Sequence, residues 1–150
     1  MAMSTRKINT FLLLKLPAAY LMGVRVKSIN DISCTTTVKH RWINQNPFDS
    51  MFWAVQGMAA ELATGAMVMS NIEESEQKIS MLVANNKATF SKKATGRITF
   101  TCNDGLLITD AIAKTLQDKE GKTCWMKAEG IDETGDLVSS FEFEWTVRAK

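Results

Sequence analysis

The chain has 150 residues, a length typical of one domain that can bury a core without cross-links. With 45% apolar and 23% charged residues, it falls outside the disordered, collagenous and coiled-coil classes. Its net charge of +2 argues against a dedicated nucleic-acid binder, although a local basic patch could still hold a phosphorylated small molecule. We therefore expect a single domain over residues 1–150.

The N-terminal segment is predicted to form a helix over about residues 9–22. Basic residues precede a four-residue apolar run at 11–14, a weak likeness to a signal peptide. Lys15 and Pro17 end that run well short of the apolar region that a signal peptide needs. We therefore expect an amphipathic helix that packs on the body of the protein.

Residues 24–38 are rich in Val, Ile and Thr around an Asn-Asp pair, which predicts two short strands in a hairpin. A long helix is predicted over about residues 47–70, with Asn46 as its cap, Pro47 at its first position and Asp49 in its first turn. Its apolar part could span a membrane by length alone, but it contains Glu61 and several other polar residues. We interpret it as a core helix and expect no membrane span.

The second half of the chain is predicted to be mostly strands, at about 78–92, 96–103, 121–131 and 137–147. The last segment alternates, with Phe141, Phe143 and Trp145 on one face and glutamates on the other. Residues 106–117, between the second and third of these strands, could be a short helix or an irregular connection.

The long helix is apolar on most of its sides, so other elements must surround it. The predicted strands are the elements available to bury its apolar surface. The sequence therefore predicts a curved sheet wrapped around a central helix. One side of the helix carries small residues, Gly57, Ala60 and Gly65. We expect another surface, from a partner subunit or a ligand, to approach the helix closely there.

The three cysteines, Cys34, Cys102 and Cys124, show no CxxC or Cys/His spacing. An odd number of cysteines without a metal-ligand pattern is typical of reduced, buried thiols. We expect no disulfide framework and no metal site, and we expect the protein in the cytoplasm.

The order of these elements resembles the hotdog fold. Residues 46–65, which read NPFDSMFWAVQGMAAELATG, are similar to the hotdog acyl-CoA thioesterases of the phenylacetate-pathway type. They are closer still to a related thioesterase-like group, the DUF4442 type, whose members also carry an N-terminal helix. The resemblance implies an α+β domain in which an antiparallel sheet wraps around the central helix.

The resemblance also implies a site. In these families two subunits pair through their sheets, as a homodimer or a dimer of dimers, and an acyl thioester enters a tunnel between them. Backbone N–H groups at the start of the helix polarise the thioester carbonyl, and a carboxylate on the helix activates water or acts as a nucleophile. By resemblance these parts correspond to Ser50–Trp53 and to Glu61, with Asn46 positioning water or substrate. Coenzyme A is then part of the substrate, and no metal or redox cofactor is implied.

Glu61 is the strongest catalytic candidate, because a carboxylate on an apolar helix has a raised pKa unless it is paired. Such a group suits a general base, although a basic partner or a solvent-facing position would explain it as well. Asn46 and Asp49 are the other catalytic candidates, and helix-capping roles are their alternatives. The substrate-binding candidates are Ser50, Met51, Phe52, Trp53 and Gly57. Beside the turn at 94–96, the candidates for holding coenzyme A phosphates are Lys92, Lys93 and Arg97.

Two departures from the thioesterase pattern matter. The phenylacetate-type enzymes open the helix with His-Gly-Gly, whereas this chain has Ser-Met-Phe-Trp there, so that Phe52 and Trp53 narrow the approach to the thioester. The one histidine, His40, lies far ahead of Glu61 and does not support a dehydratase site or a Ser-His-Asp triad. The sequence therefore predicts a thioester hydrolase, with a non-catalytic protein that binds acyl or lipid thioesters as the alternative.

Overall fold

The computed structural model describes residues 2–150, in which four α-helices accompany one six-stranded antiparallel sheet. The strands follow the order β1-β2-β4-β5-β6-β3 across the sheet. The helices are α1 (Thr5–Lys15), α2 (Pro17–Leu21), α3 (Trp53–Ser75) and α4 (Gly105–Asp118). The strands are β1 (Arg25–Ile29), β2 (Cys34–Lys39), β3 (Ile79–Phe90), β4 (Arg97–Cys102), β5 (Lys122–Ile131) and β6 (Leu137–Ala149).

The single N-terminal helix predicted over 9–22 is wrong, because the structure has two helices there. The first, α1, begins earlier, after Ser4, whose hydroxyl caps it by accepting a hydrogen bond from the Lys7 amide at 3.2 Å. Leu16 leaves the helical region, at φ −130° and ψ 57°. A residue that precedes proline avoids helical backbone angles, so the chain turns before Pro17 opens α2.

The central helix α3 begins and ends later than the predicted range 47–70. Its N-cap residue is Phe52, so Asn46 is not the helix cap. Asp49 lies in the preceding loop at φ 59° and not in the first turn of the helix. The prediction that the Asp49 charge complements the helix dipole from the first turn is therefore wrong as well.

The sheet curves around α3, which packs against β1, β2, β4, β5 and β6 on one side and against α4 elsewhere. The middle of the helix is almost fully buried, with Ala59, Ala60, Ala63 and Ala66 all 0% exposed. This confirms the predicted α+β architecture and the interpretation of the apolar run as a core helix. Among residues 2–150, no helix combines the length and hydropathy that a membrane crossing requires.

The strands predicted from local patterns are confirmed. The hairpin over 24–38 is β1 and β2, and β6 buries one face, with Phe141, Phe143 and Trp145 at 2%, 6% and 4% exposure. The sequence left two alternatives for residues 106–117, a short helix or an irregular connection. In the structure these residues belong to the helix α4.

The small residues of α3 face the chain's own sheet. A Cβ atom added at Gly57 would lie 3.4 Å from the ring of Phe141, and one at Gly65 would lie 3.0 Å from the indole of Trp145. The β6 strand is therefore one surface that approaches α3 closely, and the approach of a partner subunit or a ligand at this face stays a prediction.

The two edges of the sheet differ. At the β1 edge, α1 lies alongside, and the Asn9 side chain exchanges hydrogen bonds of 2.9 and 3.0 Å with the backbone of Val26. The β3 edge has no neighbour within residues 2–150, and its side chains from Ala84 to Phe90 are exposed. Leu82 is 66% exposed on the same strand. A long open edge of this kind is a ready template for pairing with another chain.

The cysteines are free thiols in the structure, as predicted. Cys34 and Cys102 face each other across β2 and β4, and burial raises the pKa of each to about 12. Burial likewise raises the pKa of Cys124 to about 11. Thiols that stay protonated at neutral pH are poor nucleophiles, so all three belong to the packing of the fold.

Candidate active site

The loop before α3 is organised by Asn46. Its Oδ1 accepts from the amides of Phe48 (2.8 Å) and Ser50 (3.3 Å), and its Nδ2 donates to Ser50 Oγ (2.9 Å) and to the carbonyl of Met51 (3.4 Å). The Asn46 amide also donates to the carbonyl of Ser50 at 2.8 Å. With all these partners inside the loop, the Asn46 side chain holds the loop in shape.

The amides at the start of the helix are only partly available to a ligand. Those of Ser50, Met51 and Phe52 donate to Asn46 Oδ1, to the Ala94 carbonyl and to the Asn44 carbonyl. The next two, Trp53 and Ala54, have no acceptor within residues 2–150, as is usual for the first turn of a helix. Of the predicted stretch Ser50–Trp53, only its last amide is free, and the Ala54 amide joins it.

A cavity of about 570 Å³ lies at this end of α3, and we call it the helix-start cavity. Ser50 and Met51 are buried in its wall, whereas Phe52 and Trp53 are 45% and 57% exposed. The Trp53 ring packs edge to face against Phe52 and against Phe90, with ring centroids 6.0 and 6.4 Å apart respectively. Its lining comprises Asn46, Pro47, Phe48, Ser50, Met51, Phe52, Trp53, Gln56, Phe90, Ser91, Lys92, Lys93 and Ala94.

Gln56 is a lining residue that the sequence analysis missed. It is 4% exposed, and its Oε1 accepts a 2.7 Å hydrogen bond from Ser139 on β6. Its Nε2 has no partner within the described residues, so this amide group can donate to a molecule in the cavity. A polar residue one turn into an apolar helix could have indicated a functional role for Gln56. Its hydrogen-bond partner Ser139, however, lies 83 residues away in the sequence.

Glu61 lines a second, separate cavity of about 210 Å³, which we call the Glu61 groove. Its walls are apolar and come from α1, α2, α3, β3 and β6, and Glu61 is the one charged residue among them. The other lining residues are Leu12, Leu16, Ala18, Ala19, Met58, Leu62, Gly65, Met69, Met81 and Trp145. An apolar groove with a single carboxylate suits a flexible acyl chain whose polar end must be held or attacked.

The Glu61 carboxylate sits at the mouth of this groove. The side chain is exposed to solvent on one side, yet the apolar walls remove enough water to raise the pKa of its carboxyl by desolvation. Within residues 2–150 it has no ion-pair or hydrogen-bond partner for its side chain. Among the described residues, no basic side chain therefore pairs with Glu61 as the sequence analysis considered.

One chain does not bring the predicted catalytic groups together. Glu61 lies nine positions after Phe52, and at 1.5 Å per residue the two are about 13.5 Å apart along the axis of α3. Asn46 and Trp53 line the helix-start cavity, with Ala54 next to Trp53 in the chain, whereas Glu61 lines the other cavity. Asp49 and Gly57 line neither of these two cavities.

The three basic candidates for phosphate binding are placed differently from one another. Lys92 is held by two carboxylates of the β5–β6 turn, Asp132 at 2.6 Å and Asp136 at 2.8 Å. Arg97 lies outside the helix-start cavity and donates to Thr37 Oγ1 at 3.3 Å. Lys93 lines the cavity without a carboxylate partner in the described chain, its Nζ lying 3.5 Å from the carbonyl of Phe48. Among the three, Lys93 alone both lines the helix-start cavity and lacks a carboxylate partner.

Comparison with known proteins identifies the family. Residues 4–147 match a family described as a domain of unknown function, DUF4442. The chain belongs to the DUF4442 family. No curated protein sequence matches it. Within residues 2–150, no group of three or more metal-ligating side chains could hold a metal ion.

Solved structures resemble this DUF4442 chain in fold. One is a Pseudomonas aeruginosa protein of unknown function named "Probable Thioesterase", with a TM-score of 0.83, 17% identity, and coverage of 100% of this chain and 99% of that one. A mutant thioesterase from the same organism has a TM-score of 0.75 and 14% identity, and the match covers 100% of this chain and 97% of that one. A thioesterase from Haemophilus influenzae has a TM-score of 0.69 and 11% identity, with coverage of 99% of this chain and 93% of that one. The fold is therefore the hotdog fold, with the predicted N-terminal helical addition.

Proposed function

We propose that this DUF4442 protein hydrolyses acyl thioesters, with acyl-CoA as the leading substrate. The observation that carries the proposal is Glu61, an unpaired carboxylate with a raised pKa at the mouth of an apolar groove. Perturbed carboxylates in clefts are the usual signature of a general base. The thioesterase names of the structural neighbours agree with this reaction class.

In the proposed reaction, ionised Glu61 takes a proton from water as the water oxygen attacks the thioester carbonyl carbon. The resulting oxyanion accepts hydrogen bonds from the free amides of Trp53 and Ala54, at the positive end of the α3 dipole. The tetrahedral intermediate then collapses, the C–S bond breaks, and protonated Glu61 returns its proton to the departing thiolate. The products are a carboxylic acid and a thiol, so no redox equivalent or metal is needed.

The separation of these groups in one chain leads us to place the site between two copies. Antiparallel pairing of two β3 edges would continue the sheet and set the two α3 helices side by side in opposite directions. The helix start of one copy would then move toward the Glu61 of the other. The exposed Leu82 and Phe90 on β3 would be covered at the same time. We therefore propose a homodimer in which each site takes its base from one subunit and its oxyanion donors from the other.

A second candidate function is binding of acyl thioesters without hydrolysis. The observation that favours it is the crowded helix start, where Phe52 and Trp53 occupy the mouth and three of the amides are already engaged. In that case the groove and the cavity would retain a ligand, and Glu61 would act only as a polar contact.

The test measures thiol release from a panel of acyl-CoA and acyl-pantetheine thioesters by the wild type, Glu61→Gln and Glu61→Ala. Loss of a general base should lower kcat by about 100-fold or more while KM changes little. The matched control is Glu120→Gln, because Glu120 is exposed and lines neither cavity. This variant should keep full activity.

Binding of the same thioesters is measured alongside by calorimetry. Affinity without turnover in the wild type would reject hydrolysis in favour of the binding function. Turnover that survives Glu61→Ala would show that another group is the base, and neither binding nor turnover with any thioester would reject both functions.

A further inference from the structure

The charges of this protein are unevenly divided along the chain. Residues 1–48 carry seven basic side chains and a single acidic one, Asp31, whereas residues 49–150 carry 11 basic and 15 acidic ones. The N-terminal third is therefore strongly positive and the rest negative, and the overall charge of +2 conceals this. Such an asymmetry is typical of a part of a protein that meets an anionic surface.

Large apolar side chains are exposed within this same basic third. Trp42 is 82% exposed, Leu21 is 62% and Ile43 is 42%. Leu13 and Leu14, in the last turns of α1, are 49% and 68% exposed. None of these side chains lines the Glu61 groove, which is lined instead by the neighbouring Leu12 and Leu16.

Hydrogen bonds bring Leu21, Trp42 and Ile43 to one place, which we call the α2 tip. A 3₁₀ turn, Trp42–Asn44, follows Arg41. Arg41 Nη2 donates to the carbonyl of Leu21 at 3.3 Å, and the Asn44 side chain donates to the carbonyl of Met22 at 3.0 Å. The turn that carries Trp42 and Ile43 is thus fixed against the end of α2.

Basic residues surround the α2 tip. Arg25 donates to the carbonyl of Tyr20 at 2.8 Å and lies over the Tyr20 ring, so that two guanidinium groups, with Arg41, stand at the C-terminal end of α2. Lys39 is exposed just before the turn, and Asn44 Nδ2 donates to its carbonyl at 2.9 Å. Asp31, the one acidic residue of this third, lies in the β1–β2 turn at the far end of the hairpin.

We propose that the α2 tip docks on the surface of an anionic lipid bilayer, with Leu21, Trp42 and Ile43 entering the interface and Lys39 and Arg41 meeting the phosphate groups. Tryptophan and leucine beside basic side chains are the composition that favours this interface. A second copy in a symmetric contact would place these positive charges against one another. A nucleic acid would use the basic groups but would leave the leucines and the indole exposed to water.

The test is sedimentation of the full chain with phosphatidylcholine vesicles that either contain or lack phosphatidylglycerol. We expect binding to the anionic vesicles alone, weakened by high salt, together with a blue shift of tryptophan emission that is lost in Trp42→Phe. Removing one basic group should lower the partition constant about fivefold in Lys39→Gln, since one such group near an anionic surface is worth about 1 kcal/mol. Leu21→Gln should lower it about tenfold.

Matched controls come from the acidic part of the chain. Leu106 is 66% exposed on α4, close to the exposure of Leu21, and Lys114 lies on the same helix, so Leu106→Gln and Lys114→Gln should bind as the wild type does. Circular dichroism checks that every variant is folded. The proposal is overturned if the wild type does not sediment with anionic vesicles at low salt, if test and control variants lose binding equally, or if Leu21→Gln changes only the oligomeric state. Thioester hydrolysis in solution is a separate readout, so failure of the docking proposal leaves the proposed function untouched.

Discussion

The indole Nε1 of Trp145 donates a 2.8 Å hydrogen bond to the hydroxyl of Thr64, and both groups are buried. Thr64 in turn donates to the carbonyl of Glu61 at 2.9 Å, so it links β6 to the turn of α3 that carries the proposed base. Gly65, the next residue, leaves the room that the indole occupies. This contact fixes the floor of the Glu61 groove.

Replacing Thr64 by valine keeps the shape of the side chain and removes the acceptor. The Trp145 N–H is then buried without a partner, which should cost about 1–3 kcal/mol of unfolding free energy. Urea unfolding measures this loss. Thr123→Val, at an exposed position in β5, is the control and should change stability by less than about 0.5 kcal/mol. Equal stability of Thr64→Val and the wild type would show that the hydrogen bond contributes nothing net.

The raised pKa of Glu61 makes stability depend on pH in a defined direction. Because desolvation raises the pKa in the folded state, ionised Glu61 destabilises the fold at high pH, and this cost disappears as the carboxyl becomes protonated at low pH. Glu61→Gln, which cannot ionise, should therefore exceed the wild type in Tm at about pH 8 and match it below about pH 4. Thermal unfolding across this range tests it, with Glu120→Gln following the wild type throughout. A Tm difference that does not change with pH would contradict desolvation as the cause.

The open edge of β3 predicts association through that strand. Leu82→Lys adds a positive charge to both of the edges that would pair and should weaken the dimer by about tenfold or more. Analytical ultracentrifugation measures the dissociation constant. Leu106→Lys alters a residue that is equally exposed, at 66%, but lies on α4, and it should leave the dimer intact. A wild type that stays monomeric at high concentration would remove the proposed composite site.

The sequence predicted the strands well and the start of α3 poorly. The alternation that marks β6 is local, so residues 137–147 carry the whole signal themselves. The segment after Asn46, in contrast, has the same capping chemistry whether a helix begins at once or a loop intervenes. The loop forms because the Met51 and Phe52 amides find acceptors in Ala94 and Asn44, and pairings of that kind cannot be read from the local pattern. At Pro17 the sequence did contain the signal for a break, since the residue before a proline avoids the helix.

The sequence likewise predicted some residues of the candidate site and missed others. Glu61 could be singled out because it is the one charge in a long apolar stretch, which is a property of composition. Gln56 was missed because its partner Ser139 and its cavity wall come from distant parts of the chain. The basic residues looked equivalent in sequence, and only the folded β5–β6 turn shows that Asp132 and Asp136 already hold Lys92.

That difference between two adjacent lysines gives the last prediction. If coenzyme A binds at the helix-start cavity, Lys93 can meet its phosphates, whereas Lys92 must first leave Asp132 and Asp136. Lys93→Ala should raise KM for an acyl-CoA by about three- to tenfold, because it removes one charge-assisted contact, and should leave KM for the matching acyl-pantetheine unchanged. Lys92→Ala should leave both KM values near those of the wild type. A rise in KM for acyl-pantetheine as well would mean that Lys93 shapes the cavity instead of binding phosphate, and equal effects of the two lysines would mean that the turn carboxylates release Lys92 when the substrate binds.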